Sequence, residues 1–166
     1  MDYGVHLPLI SLKGQRHWSL RSLLDYTEIA ERLGFRAISA NDHLIFPRPW
    51  LDGPTALATI LVRTGQMALA TMVALPIVRG PVALAKSLAA IDLLSGGRLV
   101  VGVGPGSSAR DYAAAGIPFE ERWKRLEEAV LAMRALWLRK GSPTPGDDSQ
   151  NTYTPQARIL TDSPMQ

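Results

Sequence analysis

The sequence predicts an α/β fold with a parallel sheet, on three observations. Short apolar runs alternate with segments of helical period over residues 1–138. Runs such as 67–75 (MALATMVAL) and 98–103 (RLVVGV) are continuously apolar, as strands buried on both faces are. Residues 81–106 read in one sweep as a helix, a two-glycine stop, a buried strand and a glycine-rich loop at that strand's end. The order is βα about four times over. That count is half of a closed (β/α)8 barrel, and an open doubly wound sheet is the other way to join parallel strands through helices. Residues 1–138 hold the four units. An irregular tail, 139–166, leads toward a fifth strand expected to lie beyond it.

Residues 3–9 (YGVHLPL) form a short strand stopped by Pro8, and 14–18 are loop-like. A helix begins near Ser19, with Ser19 or Ser22 as its N-cap. Leu23, Tyr26, Ala30 and Leu33 share one face, and Gly34 ends the helix. Residues 35–40 (FRAISA) are the second strand, with Asn41, Asp42 and His43 at its end. The loop 46–54 is punctuated by three prolines and a glycine. A helix over 55–63 and the strand 67–75 follow. Pro81 opens the next helix, a favoured place for proline, with an apolar stripe of Leu84, Leu88 and Ile91. Gly96 and Gly97 end it, and 98–103 is the fourth strand. The helix 119–138 puts Trp123, Leu126, Val130, Met133 and Trp137 on one side, with Glu120–Lys124 and Glu121–Arg125 as i,i+4 pairs on the other. In the tail, Gly, Pro, Ser, Thr, Asp and Asn dominate, and 157–160 is the one strand-like run.

Composition narrows the function classes. At 46% hydrophobic and 20% charged residues the chain is that of a globular protein. A net charge of +3, with no basic run interleaved with aromatics, speaks against nucleic acid as a partner. The absence of cysteine removes disulfides, thiolate metal sites and a cysteine nucleophile. With three histidines and no HxxxH or HExxH spacing, no catalytic metal is expected. No apolar stretch is long enough to span a membrane and no secretory leader is evident, so a cytoplasmic location is expected. GxSxG is absent, which leaves a serine hydrolase without support.

The candidate site residues cluster at strand ends. Gly104-Pro105-Gly106-Ser107-Ser108-Ala109 matches the dinucleotide-binding pattern G-x-G-x-x-[G/A], but on the fourth strand and without a helix opening at its second glycine. Its glycines let the backbone approach a flat ring or a phosphate, and its serines add hydroxyls; a plain βα turn is the alternative. His43 is placed to donate to a carbonyl or to shuttle a proton, or else to pack within its loop. His6 points at the same mouth, and Asp42 precedes His43. Trp50 either roofs a pocket or packs its own loop.

The run ALPIVRGPVALAKSLAAIDLLSGGRLVVGVGPG, followed by AAAGIPFEERWKRLEEAVLAMRALW, closely resembles the luciferase-like monooxygenase superfamily of TIM-barrel flavin or deazaflavin oxidoreductases. DYTEIAERLGFRAISANDHL is similar to that family's first helix and second strand, and YTPQARILTDSPMQ to the segment entering its fifth strand. The resemblance implies hydride transfer between a cofactor ring and a small organic substrate, or oxygen activation, at the barrel's C-terminal mouth. It implies coenzyme F-420, with FMN as the alternative, since the arginine that many FMN-binding members carry near Pro105 is missing. His43 matches the histidine that sits by the ring in some deazaflavin dehydrogenases; an acidic residue of those enzymes is replaced here by Ser107. Met72, Val73 and Ala74 are implied to back the ring through a non-prolyl cis bulge. Gly104, Pro105, Gly106 and Ser107 are implied to approach the cofactor, and His6, Asp42 and Trp50 to bound the substrate pocket. Lacking strands five to eight, such a chain is alternatively a non-catalytic half-barrel that pairs with a partner or as a homodimer through its open sheet edge.

Overall fold

The computed structural model describes residues 1–10 and 18–138, and the backbone of 158–161. The loop expected at 14–17, with His17, and the tail at 139–157 and 162–166 lie outside the described residues.

Five parallel strands form one sheet in the order β1 (Gly4–His6), β2 (Ala37–Ala40), β3 (Ala68–Ala74), β4 (Leu99–Val103) and β5 (Arg158–Thr161). Each strand pairs with its neighbours in sequence, and the order never reverses. A doubly wound nucleotide-binding sheet needs a reversal, because its helices cover both faces. The sequential order is instead that of an arc of a (β/α)8 barrel, which settles the alternative left open by the sequence. The fifth strand, expected beyond the chain, is present: Val100 to Val103 pair with Arg158 to Thr161.

Helices α1 (Leu20–Arg32), α2 (Gly53–Ile60), α4 (Pro81–Ser95) and α6 (Arg122–Leu138) share one apolar core with the sheet. Ile38, Leu69, Leu99 and Val101 bring the strands into that core. The residues between them, Ala37, Ser39, Ala68, Ala70 and Val100, are half-buried. Period-2 alternation therefore divides the sheet into a helix-covered face and a face of mostly small residues. Ser19 caps α1, and it and Ser22 exchange hydrogen bonds as a capping box. Asp52 caps α2, accepting from the Thr55 amide at 2.8 Å. The α2 segment ends in a 3-10 turn at Leu61–Arg63. Among the described residues, no helix is long and apolar enough to cross a membrane.

Four details differ from the sequence reading. Leu33 is exposed, because it is the C-cap residue at the edge of the α1 stripe; Thr27 joins Leu23 and Ala30 in the buried face. Trp123 is 54% exposed: it lies in the first turn of α6 at the margin of the stripe, beside the Arg122 guanidinium. Trp137 is core and donates to the Ala85 carbonyl at 3.0 Å. Two short helices escape the periodicity, α3 (Pro76–Arg79) and α5 (Ala109–Ala115), each too short to show a 3.6-residue repeat.

Candidate functional site

The strand ends on one rim enclose a cavity of about 150 Å³. Its walls are Asn41, Asp42 and His43 after β2, Met72, Val73 and Leu75 from β3 and its exit, and Gly106, Ser107 and Asp111 after β4. Strand β3 and the loops after β2 and β4 thus bring His43, Met72, Val73, Gly106 and Ser107 to one cavity.

The β3 wall has an irregular backbone. Its pairing with β4 skips between Thr71 and Ala74, and the Met72–Val73 peptide is cis. The side chain of Met72 is 59% exposed. Ala74 is buried in the core, so it supports the cavity through its backbone, its carbonyl accepting from the Gly104 amide at 3.1 Å. Gly104 and Pro105 stand behind the wall in the same way. A Cβ on Gly104 would lie 2.9 Å from Val73 Cγ2. Gly106 has φ +75°, and a Cβ there would press on Leu75. The Pro105 carbonyl accepts from the Tyr112 hydroxyl at 2.5 Å.

His43 lies at the cavity's other side with its ring 24% exposed. Trp50 meets it edge-on at 4.7 Å between centroids, and Phe46 packs on both rings. Trp50 therefore braces His43 from outside the cavity; it is held by a bridge to Ile10. His43 Nδ1 and Trp50 Nε1 are both buried without a hydrogen-bond partner among the described residues. Asp111 Oδ2 lies 3.6 Å from His43 Nδ1. His6 joins at one remove: its Nδ1 shares a 2.9 Å hydrogen bond with Ser39 Oγ, and its Nε2 one of 3.2 Å with Asn41 Oδ1.

Asp42 borders the cavity, but its carboxylate is 1% exposed and turned into an ion pair. Arg79 binds it with two nitrogens, Nη2 reaching Oδ1 at 2.5 Å and Nε reaching Oδ2, and Nη2 also reaches Asp52. Burial alone would lower the Arg79 guanidinium; hydrogen bonding and charge from Asp42 and Asp52 more than offset it and hold the group above its ordinary value. Burial would raise Asp52, while the Thr55 hydrogen bonds and Arg79 bring it below the usual carboxylate range. Asp42 thus shapes the loop that carries His43.

Sequence reasoning missed Asn41, Phe46, Arg79 and Asp111. For Asp111 a signal existed: Ser108 and Asp111 have the three-residue spacing of a helix N-terminus, and Ser108 does cap α5. A larger groove of about 390 Å³ runs between α2 and α4, where the paired Asp52 and Arg79 are its charged residues. Among the described residues no cluster could hold a metal ion.

The family model for luciferase-like monooxygenases matches residues 3–160. An F420-dependent glucose-6-phosphate dehydrogenase from Intrasporangium calvum is 35% identical over 140 residues, covering 76% of this chain and 41% of that enzyme. The chain thus spans about two fifths of the length of that relative. The monooxygenase RslO1 from Streptomyces bottropensis superposes with a TM-score of 0.81 at 28% identity, covering 97% of this chain and 53% of its own. The oxygenating constituent of 3,6-diketocamphane monooxygenase from Pseudomonas putida, in complex with FMN, superposes at 0.76 with 16% identity, over 97% of this chain and 51% of its own. Sheet order, rim geometry and the family match agree: the chain belongs to the luciferase-like monooxygenase family.

Proposed function

We propose that this chain carries the ring-binding rim of a cofactor-dependent oxidoreductase that transfers hydride between a deazaflavin, coenzyme F-420, and a small organic substrate, with FMN as the alternative cofactor. The observation that carries the reading is the single cavity into which His43, the Met72–Val73 wall and the Gly106–Ser107 turn converge. The relative named as F420-dependent supports the first choice of cofactor.

The residues present fit such a ring. Met72 and Val73 offer an apolar wall, Gly106 and Ser107 border the same cavity, and the missing Cβ atoms of Gly104 and Gly106 let the turn pack closely on Val73 and Leu75. When bound, the ring supplies the two-electron hydride chemistry that no side chain here can. The chain's own part is positioning and proton handling. Among the described residues His43 is the one imidazole on the cavity wall, and it takes or gives the proton that accompanies hydride loss or gain at the substrate. Ser107 cannot share that task, because a hydroxyl does not titrate near neutral pH; it serves as a hydrogen-bond partner. Phe46 and Trp50 shield His43 from water on its outer side.

Titration of the purified chain with F-420 and, separately, with FMN tests the reading. Saturable binding of one of them, seen as a change in its fluorescence, is the expected result. Protein that binds neither would remove it.

A second reading, a non-catalytic half-barrel that associates through its edges, is favoured by one observation: among the described residues β1 is hydrogen-bonded to β2 alone. A doubled mass in solution together with failure to bind either cofactor would favour it.

A further inference from the structure

Among the described residues, the Asp111 carboxylate makes two polar contacts, and both go to the same loop. Its Oδ1 accepts from the Ile45 amide at 2.6 Å, and its Oδ2 faces His43 Nδ1 at 3.6 Å. The side chain is 2% exposed, so solvent does not compete for it. Its place at the start of α5 makes the arrangement unusual. Ser108 caps the helix by accepting from the Asp111 amide, and an acidic residue at that position ordinarily reaches back to the cap's own N–H. Here the carboxylate turns instead to the loop after β2.

Among the described residues, His43 Nδ1 is buried and has no hydrogen-bond partner. If that nitrogen carried a lone pair, an acceptor would face a carboxylate oxygen at 3.6 Å, which is repulsive and leaves both unsatisfied. If it carries the proton, the same pair attracts. The distance is long for a hydrogen bond, but catalytic contacts in ligand-free sites are often long and tighten when the site fills. The Ile45 contact anchors the carboxylate, so it cannot turn away. With Nδ1 buried, the exposed part of the ring lies on the side away from it, where Nε2 sits.

We propose that Asp111 is the positioning residue of this site: its carboxylate fixes His43 in the tautomer that carries the proton on Nδ1 and leaves Nε2 as the proton acceptor. This deepens the proposed function, since it rests on His43 being the proton-transfer group. The adjacent Asp42 carboxylate is held by Arg79, and Arg48 of the same loop is exposed. The rings packed on His43, Phe46 and Trp50, carry no charge.

The test is nitrogen-15 NMR of the full chain labelled at histidine, over a pH series. His43 is distinguished from His6 and His17 by the signal missing in His43→Gln. In the wild type, neutral His43 is expected as the Nδ1–H tautomer. In Asp111→Asn, whose amide oxygen can still accept from Ile45, the NH2 group then faces His43 Nδ1 and the Nδ1–H preference is lost. Asp111→Glu moves it back toward the wild type. A wild-type His43 in the Nε2–H form would overturn the proposal. So would a folded Asp111→Asn protein in which His43 keeps the Nδ1–H form. Should Asp111→Asn fail to fold, the wild-type tautomer alone decides. Failure of the functional reading looks different: neither F-420 nor FMN binds the wild type, while the His43 tautomer stays as stated.

Discussion

Arg79 is the residue whose loss the loop around His43 can least absorb. It satisfies Asp42 with two nitrogens and reaches Asp52 as well. Arg79→Leu would leave the buried Asp42 carboxylate uncompensated, and breaking a buried pair from one side costs about 3–5 kcal/mol. Urea denaturation should show that loss, and the double variant Arg79→Leu/Asp42→Leu should recover part of it. Asp52 adds a pH dependence of definite sign. Its carboxyl is lowered below 3.8 in the folded state, so the stability it contributes is complete above that pH and is lost as pH falls through the folded value. The urea midpoint of the wild type should drop below about pH 4, and Asp52→Asn should flatten the drop. The sequence made the neighbours Asp42 and His43 legible as a pair at a strand end. It hid that one faces a cation 37 positions away and the other a carboxylate 68 positions away, because local spacing carries no information about which distant loop lands nearby.

At the scale of the element, the turn after β4 combines a demand for positive φ at Gly106 with a close approach at Gly104. Gly104→Val would force its side chain against Val73 Cγ2 and push the turn away from the cis segment. Weakening of F-420 or FMN binding by about tenfold or more, read by fluorescence titration with the far-UV circular dichroism unchanged, is the expected outcome. This turn was readable in sequence because glycines at a strand end have few other uses. The cis peptide between Met72 and Val73 was implied by the family resemblance, and nothing in the residue types ALATMVA marks it. α5 went unread because Gly116 and Pro118 interrupt the pattern before it completes two turns, and Trp123 was misplaced because helical spacing fixes a face but not where packing begins.

For the whole molecule, the sequential strand order makes the prediction. β2, β3 and β4 have partners on both sides, whereas β1 is an edge among the described residues. Amide hydrogen exchange should be slowest in the three central strands, where opening approaches global unfolding, and fast along the outer side of β1. Protection of β1 confined to a fraction of doubled mass would identify pairing through that edge. The repeating βα order was legible because each unit states its own period. The choice between barrel arc and doubly wound sheet was not, since it depends on which side each crossover takes. The rim that results is a set of loops leaning on one another. Tyr112, buried on α5 and edge-on to Phe119, holds the Pro105 carbonyl from outside the turn. Anyone transplanting the GPGSS segment into another scaffold would therefore carry over a shape without its brace; the smallest portable unit runs through Phe119.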